Sequence, residues 1–146
     1  MSKIIAETLN RDDVKSKIIK DAAFLDAFMG VAVGLYFVSN DRRFSFYELV
    51  VEKLSFNQKL EILEKIPYRK KYKSYECFKT IRLIQQLRNA IAHEYFFHEG
   101  QKKLTNKPWH YLLLDWPKTY ASEVNKTRRQ LERLTGTNEF LKFIRG

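Results

Sequence analysis

Three residues with versatile chemistry lie close together in this chain: Arg88, Asn89 and His93. An arginine holds a phosphate through a forked pair of hydrogen-bond donors, and a histidine moves protons near neutral pH. An Arg and a His together are a minimal set for cutting RNA without a metal ion. The elements around them decide whether both side chains can reach one phosphate.

The motif falls inside one long helical pattern, residues 78–95, within a helix that we predict at about residues 74–96. At about 100° per residue, with Arg88 at zero, Asn89 and His93 fall on a polar arc between about 60° and 180°. The polar arc also includes Lys79, Arg82, Gln85 and Gln86, and the opposite, apolar arc includes Thr80, Leu83, Ile84, Leu87, Ile91, Glu94 and Tyr95. Arg88 stands at the boundary between the two arcs.

One copy of the chain makes a sparse site, because Arg88 and His93 lie about 140° apart around the helix and about 7.5 Å apart along it. Two copies facing each other across a two-fold axis would place two Arg and two His around one cleft. That arrangement suits a phosphodiester, with one His as base and the other as acid.

The same residues also have a purely structural interpretation. An Arg and a His five positions apart arise often by chance, on a surface helix where His93 makes a local hydrogen bond and Arg88 pairs with an acidic group. The small neighbours Ala90 and Ala92 favour a functional interpretation, because they leave room for a partner helix or a backbone.

The composition predicts one helical domain with a polyanionic partner. The 146 residues are 45% hydrophobic and 14% aromatic, which argues against intrinsic disorder, and only 5 Gly and 3 Pro interrupt the helices. The net charge of +10 favours nucleic acid as the partner, with solubility and a compositional bias of the source proteome as the alternative. We predict a single domain over residues 1–146, with its core bundle at about 12–135.

Cysteine usage and the amino terminus indicate a cytoplasmic protein. Cys77 is the only cysteine, and its helical spacing with Ile81 favours a core residue over a nucleophile. The first seven residues lack the long apolar run of a signal peptide. The most apolar window, residues 22–38, is short for a membrane span and includes Asp26, so we expect a buried bundle helix and no membrane partner.

Cap residues and apolar spacing predict the other helices. Asp12 or Asp13 begins a long helix, and capping-box sequences at Ser45 and Ser55 begin two shorter ones. The helices are expected at about residues 1–9, 12–38, 45–53, 55–66, 117–134 and 138–144.

Glycines and aromatic residues mark the remaining features. Gly30 and Gly34, one turn apart in the long helix, indicate close packing of another backbone. Residues 109–116 form a short strand or a tucked-in loop, and Gly136 ends the helix that starts near Asp115.

At the sequence RNAIAH, residues 88–93, the chain resembles the HEPN superfamily, all-helical domains of bacterial toxins, phage-defence proteins and RNA-cleaving sensors. The family signature is an Arg, a polar residue that is often Asn, further positions and a His, on a helix near the end of a four-helix bundle. The resemblance covers about residues 12–96. It implies an all-α fold, a HEPN-like four-helix bundle with additional terminal helices.

The resemblance also implies a metal-independent endoribonuclease that acts as a homodimer and needs no cofactor. Arg88 would bind and stabilise the phosphate, His93 would transfer protons, and Asn89 would orient the phosphate or the His. A 2′-hydroxyl would attack its own phosphorus and leave a cyclic phosphate, so DNA would resist cleavage. The context would be a toxin–antitoxin or antiviral (phage) defence system, with a possible antitoxin protein as partner.

Two other functions stay open at this point. Several family members keep the bundle without cleaving RNA and bind a protein partner or a nucleotide. A basic helical nucleic-acid binder without any chemistry is the third possibility, and it predicts salt-dependent binding to DNA and RNA alike.

Basic residues outside the motif are candidate RNA contacts. The candidates are Arg69, Lys70, Lys71 and Lys73, in a basic run with interleaved tyrosines, and Arg82 on the motif helix. A solvated loop or the lead-in to a helix is at least as good an interpretation of the basic run. No metal site is predicted, because His98 with Glu94 and Glu99 does not have the spacing of a full ligand set.

Overall fold

A computed structural model of the chain is all-α in the part that it describes. The described residues are 2–39, 41–73, 75–94, 96–98 and 107–136. Their α-helices are α1 Ser2–Leu9, α2 Asp12–Phe37, α3 Arg43–Leu49, α4 Phe56–Lys65, α5 Cys77–His93 and α6 Lys118–Thr135. Short 3-10 helices occur at Val51–Lys53, Lys70–Tyr72 and His110–Leu112. The all-α prediction is confirmed, and the HEPN-like bundle stays a prediction.

The chain forms two compact units. Unit 1 comprises Met1–Ala23 and Lys79–Thr127, and unit 2 comprises Phe24–Phe78 and Arg128–Gly146. Large side chains that are almost fully buried include Ile5, Leu9, Ile18, Ile84, Leu87 and Tyr120 in unit 1, and Leu25, Met29, Leu60 and Leu63 in unit 2. Because α2, α5 and α6 contribute residues to both units, the division lies within helices, and the single-domain assignment stays a prediction.

The predicted start of α4 is confirmed atom by atom. The Ser55 hydroxyl accepts a hydrogen bond from the Gln58 backbone at 3.1 Å, and the Gln58 side chain accepts one from the Ser55 backbone at 2.8 Å. These two bonds satisfy backbone donors that the first turn of a helix otherwise leaves without partners. Ile66 ends the helix in an extended conformation, as expected before Pro67.

The start of α6 is also confirmed. One Asp115 carboxylate oxygen accepts from the Thr119 backbone at 3.3 Å, and the other accepts from the Thr119 hydroxyl at 2.8 Å. At the other end of α6, Gly136 has a positive φ of 65°, the left-handed conformation that glycine adopts without steric cost.

The structure corrects three element boundaries. Helix α3 begins at Arg43, before Ser45, because Phe46 already donates to the Arg42 carbonyl, and Ser45 therefore does not cap it. The expected α-helix up to residue 53 instead ends at Leu49 and continues as a 3-10 helix. Helix α5 is shorter than the predicted range of 74–96. The helix predicted at 138–144 lies outside the described residues.

Residues 109–116 form 3-10 and turn structure, which is the tucked-in loop of the two predicted alternatives. Trp109, Leu112 and Leu113 are buried there, with exposures of 3%, 0% and 0%. The apolar run thus reflects burial of a turn and not a strand.

The long apolar helix α2 includes one charged contact within unit 2. Lys59, on α4, donates to Asp26 at 2.9 Å, and the lysine side chain is only 8% exposed. Among the described residues, no helix is both long enough and apolar enough to cross a bilayer.

Candidate active site

Helix α5 presents two of the three motif side chains to solvent. Leu87 and Ile91 are buried, with exposures of 0% and 2%, and fix the inward face of the helix. Asn89 and His93, one turn apart on the outward face, are both exposed. The prediction that these two residues lie on the polar arc is confirmed.

The placement of Gln85 and Arg88 differs from the prediction. Gln85, expected on the polar arc, is only 9% exposed, and Ile81, at about 20° on the same helical wheel, is fully buried. The buried face of α5 therefore extends on both sides of Arg88, which is half-buried and not at a boundary. A side chain's burial follows from the direction of its Cβ, which the polarity of an amide head does not change.

An open cavity of about 350 Å³ in unit 1 collects Asn89 and His93. Its other lining residues are Gln86, Ala90, Glu94, Phe97, Lys107 and Trp109. Phe97 and Trp109, with exposures of 4% and 3%, supply buried apolar surface, while His93 and Lys107 are exposed. The cavity thus combines an imidazole, a carboxylate, an ammonium and amides over an apolar base.

Asn10 holds one wall of this cavity in place. Its side-chain nitrogen donates to the Phe97 carbonyl at 2.8 Å, and its side-chain oxygen accepts from the Phe97 backbone at 2.7 Å. The asparagine therefore satisfies both backbone groups of Phe97, as a neighbouring strand would. This pair of bonds joins the turn after α1 to the segment after α5, 87 positions further along the chain.

Glu94 follows the last residue of α5. Its backbone nitrogen still donates to the Ala90 carbonyl at 2.9 Å, but the helix ends at His93. The carboxylate, which the helical wheel places on the apolar arc, is half-exposed at the cavity. The end of the helix explains why an ionisable residue is tolerated at this position.

Arg88 does not line the cavity that contains Asn89 and His93. Its Nη2 atom lies 3.4 Å from Oδ1 of Asn89, a long hydrogen bond between sequence neighbours. Asn89 is thus the residue that connects the arginine to the cavity. Within one chain, the described geometry brings Asn89 and His93 together and leaves Arg88 to one side.

His110 lies in the turn next to Trp109, and the two ring centroids are 5.1 Å apart in an edge-on arrangement. Burial, assisted by the positive charge of Lys107, lowers the pKa of His110 below its ordinary value of 6.5. Its Nε2 atom is buried and has no hydrogen-bond partner among the described residues. A neutral imidazole is therefore favoured beside the cavity wall.

The five predicted RNA contacts fall in both units. Arg69, Lys70, Lys71 and Lys73 are exposed in unit 2, and Arg82 is half-exposed on the unit 1 part of α5. The Lys71 ammonium lies 4.9 Å from the centre of the Tyr72 ring, a cation–π contact. The basic run is thus solvent-accessible, as both the RNA-contact and the solvated-loop interpretations require.

Cys77 is a core residue, as predicted. It is 1% exposed, and burial raises the pKa of its thiol to about 12, so the nucleophilic thiolate is disfavoured. Among the described residues, no three His, Cys, Asp or Glu side chains come together in a group that could hold a metal ion.

The sequence pattern missed Lys107, Gln86 and the role of Asn10. The helical wheel predicts Gln86 on the polar arc beside Asn89, and that shared arc is the sequence signal that could have assigned it to the site. Lys107 follows a polar connection and Asn10 follows α1, so only the tertiary fold brings either residue to the motif. No local spacing could have identified them.

Comparison with protein-family models, with curated proteins and with solved structures finds no match to this chain. The resemblance to the HEPN superfamily therefore stays a prediction from residues 88–93 and their helical setting. A functional assignment must be argued from the side chains themselves.

Proposed function

We propose that this protein is a metal-independent endoribonuclease of the HEPN type that cleaves RNA at the cavity formed by α5 and Lys107. The observation that carries the proposal is that His93 and Asn89 share one solvent-open cavity with an ammonium group. Cleavage of a phosphodiester is promoted by three functions: proton transfer, hydrogen-bond donation and compensation of negative charge.

The proposed reaction uses the ribose itself as the nucleophile. The 2′-oxygen attacks the adjacent phosphorus, the bond from phosphorus to the 5′-oxygen breaks, and a 2′,3′-cyclic phosphate remains. The 2′-hydroxyl proton passes to a base, and an acid returns a proton to the departing 5′-oxygen. His93 serves in this proton transfer, while Lys107 and the Asn89 amide bind the phosphate oxygens.

Arg88 enters the proposal through a second copy of the chain. In one chain its guanidinium lies beside Asn89 and outside the cavity. In a symmetric homodimer with paired α5 helices, Arg88 of one copy would face the cavity of the other. The guanidinium is then available for the charge that grows on the phosphate oxygens in the transition state.

A nuclease with a general RNA substrate endangers its own cell, which gives the proposed biological setting. We place the protein in a toxin–antitoxin or phage-defence system, acting on cytoplasmic RNA. Its net charge of +10 would attract RNA and would also suit an acidic antitoxin protein.

The direct test compares two exposed histidines of unit 1. His93 lines the cavity, whereas His98 does not. With mixed RNA and excess EDTA, the wild type and the His98→Ala variant should cleave, and His93→Ala should lose about a hundredfold or more in rate. Equal cleavage by all three proteins would refute the role of His93. Matching thermal unfolding midpoints would show that the substitutions leave the fold intact.

A non-catalytic module of the same type is the second candidate. The half-buried position of Arg88, outside the cavity, favours it, because a nuclease needs the arginine at the phosphate. This module would bind a protein partner or a nucleotide. It predicts no cleavage of RNA at any protein concentration, including concentrations at which the protein dimerises.

A further inference from the structure

A second cavity, of about 470 Å³, lies entirely within unit 2. Parts of α2 and α6 and the segment that follows α4 line it. Its chemically distinctive lining residues are Tyr36, Tyr68, Tyr72, Arg69 and Arg133. The described lining contains no carboxylate, so the cavity offers aromatic faces and positive charge together. A volume of this size is within the usual range for small-molecule sites.

Contacts inside unit 2 hold two of the tyrosines. The Tyr68 hydroxyl donates to the Leu63 carbonyl at 2.7 Å, and its ring stacks on Phe78 with centroids 6.1 Å apart. Burial raises the pKa of Tyr68, which keeps the hydroxyl neutral. The Tyr72 ring packs against Tyr75 with centroids 5.3 Å apart. The rings are therefore oriented before any ligand arrives, which reduces the entropy lost on binding.

Tyr36 contributes a third, more open aromatic surface. It lies near the end of α2, is 52% exposed, and meets the Phe37 ring edge-on at 4.9 Å. A half-exposed ring beside a cavity costs hydrophobic free energy that a stacked planar ligand would recover. Aromatic side chains in such settings stack on nucleic-acid bases without regard to base identity.

Two arginines supply the charge at this cavity. Arg69 and Arg133 are both exposed, and neither guanidinium takes part in an ion pair among the described residues. Guanidinium groups bind phosphate oxygens through paired, charge-assisted hydrogen bonds. A ligand with one planar aromatic part and one phosphate would therefore satisfy both halves of the lining.

We propose that this cavity binds one nucleotide unit, its base stacked on the tyrosines and its phosphate held by Arg69 and Arg133. A free nucleotide and a single nucleotide of an RNA strand present the same chemistry. The site belongs to unit 2, shares no residue with the Asn89 and His93 cavity, and does not depend on the proposed nuclease activity.

The test is calorimetric titration of the full chain with three probes: AMP, inorganic phosphate and a 2′-O-methyl RNA hexamer. The methylated ribose cannot attack its phosphorus, so the hexamer stays intact whether or not the protein is a nuclease. We expect AMP, the hexamer or both to bind saturably with one nucleotide site per chain. Phosphate alone should bind at least about tenfold more weakly than AMP, because it gains no stacking.

Variants separate the two halves of the site. Arg69→Ala/Arg133→Ala should weaken binding by at least about tenfold through loss of phosphate contacts, and Tyr36→Leu should weaken it by about fivefold or more through loss of stacking. The double variant Arg42→Ala/Lys53→Ala removes two exposed charges of unit 2 outside the cavity and is the matched control. It should bind AMP and the hexamer like the wild type.

Each result bears on the proposal. If the arginine and tyrosine variants weaken the binding, AMP binding without the hexamer identifies a free nucleotide as the ligand, and hexamer binding without AMP identifies a strand; both support the site. Failure of both probes to bind overturns it, as does binding that the arginine and tyrosine variants weaken no more than the control does. If the wild type binds the nucleotide probes but cleaves no RNA, the nuclease proposal is refuted and the proposal for this cavity is unaffected.

Discussion

His110 shows how burial and a neighbouring cation set the protonation of one side chain next to the candidate active site. Its folded pKa is below the ordinary value of 6.5, because burial and Lys107 both disfavour the charged ring. As the pH falls below about 6.5, the unfolded chain therefore takes up the proton before the folded protein does. The folded state is expected to lose stability through this window and to keep its full stability above it.

The variant His110→Phe tests this account of the residue. Phenylalanine keeps an aromatic ring against Trp109 and removes both the titration and the buried nitrogen that has no partner among the described residues. The midpoint of urea unfolding should fall between about pH 7.5 and about pH 5.5 in the wild type. The same change in pH should lower the midpoint of the variant by less. The other titrating groups are the same in both proteins, so their effects cancel in this comparison. An equal pH dependence of the unfolding midpoint in the two proteins would contradict the assigned pKa shift of His110.

Single residues of the candidate site were predictable from sequence only where one helix determines their position. Asn89 and His93 follow from the helical period of α5, and both lie on its solvent face. The helical wheel predicts a boundary position for Arg88 because it assigns Gln85 to the polar arc, whereas Gln85 is buried. Asn10 reaches Phe97 across 87 positions, and no periodicity within one element contains that information.

At the scale of elements, the two glycines of α2 differ in what surrounds them. A Cβ at Gly30 would lie 3.1 Å from Cγ1 of the fully buried Val51, which has little freedom to move away. Among the described residues, a Cβ at Gly34 would meet Cγ of Arg43 alone, at 3.9 Å, an ordinary contact. The nearest neighbours of both glycines are side-chain atoms, so the predicted close approach of another backbone is not seen in the described part of the chain; a side chain packs tightly at Gly30, and Gly34 leaves enough room for a methyl group.

These surroundings predict opposite outcomes for the same substitution. Gly34→Ala should raise the free energy of unfolding by about 0.5–1 kcal/mol, because alanine loses less backbone entropy in a helix. Gly30→Ala should gain nothing or lose stability, since the helix preference is offset by the contact with Val51. Urea unfolding of both variants checks the pair. Equal stabilisation by the two alanines would show that Gly30 is not a packing position.

The first residue of a helix could be predicted from sequence where a side chain caps the helix. It could not be predicted where backbone hydrogen bonds alone determine the start. The Ser55 capping box and the Asp115 start of α6 are formed by side chains that the sequence displays. The start of α3 depends on a backbone turn at Arg42, which Ser45 does not control. The aromatic run at residues 109–116 is buried as a turn, which apolar content alone does not distinguish from a strand.

For the molecule as a whole, composition predicted long helices, and the part of the chain that the structure describes is all-α; the net charge of +10 is consistent with a polyanionic ligand. The structure of one chain does not show the interface of the proposed dimer. If Arg88 of one copy completes the cavity of the other, two different defective subunits should restore one working site when they are mixed.

This complementation is a quantitative prediction. Arg88→Ala and His93→Ala homodimers should both be inactive, because each lacks one group at both sites. After subunit exchange, half of the dimers are mixed and carry one complete site in two, so the expected activity is about a quarter of the wild-type rate. Arg88→Ala mixed with Arg88→Ala/His93→Ala is the control and should stay inactive. No recovery in the first mixture would contradict a site that takes Arg88 from one copy and His93 from the other.

We propose that the Asn89 and His93 cavity cuts RNA through the ribose 2′-hydroxyl. The most direct measurement uses a DNA oligonucleotide that contains a single ribonucleotide, with excess EDTA, and identifies the products by mass spectrometry. We expect the wild type to cleave only on the 3′ side of that ribonucleotide and to leave a 2′,3′-cyclic phosphate, and we expect no cleavage by His93→Ala. Cleavage of an all-DNA control or a different end group would contradict this mechanism. Failure of the dimeric wild type to cleave any RNA sequence would also contradict it.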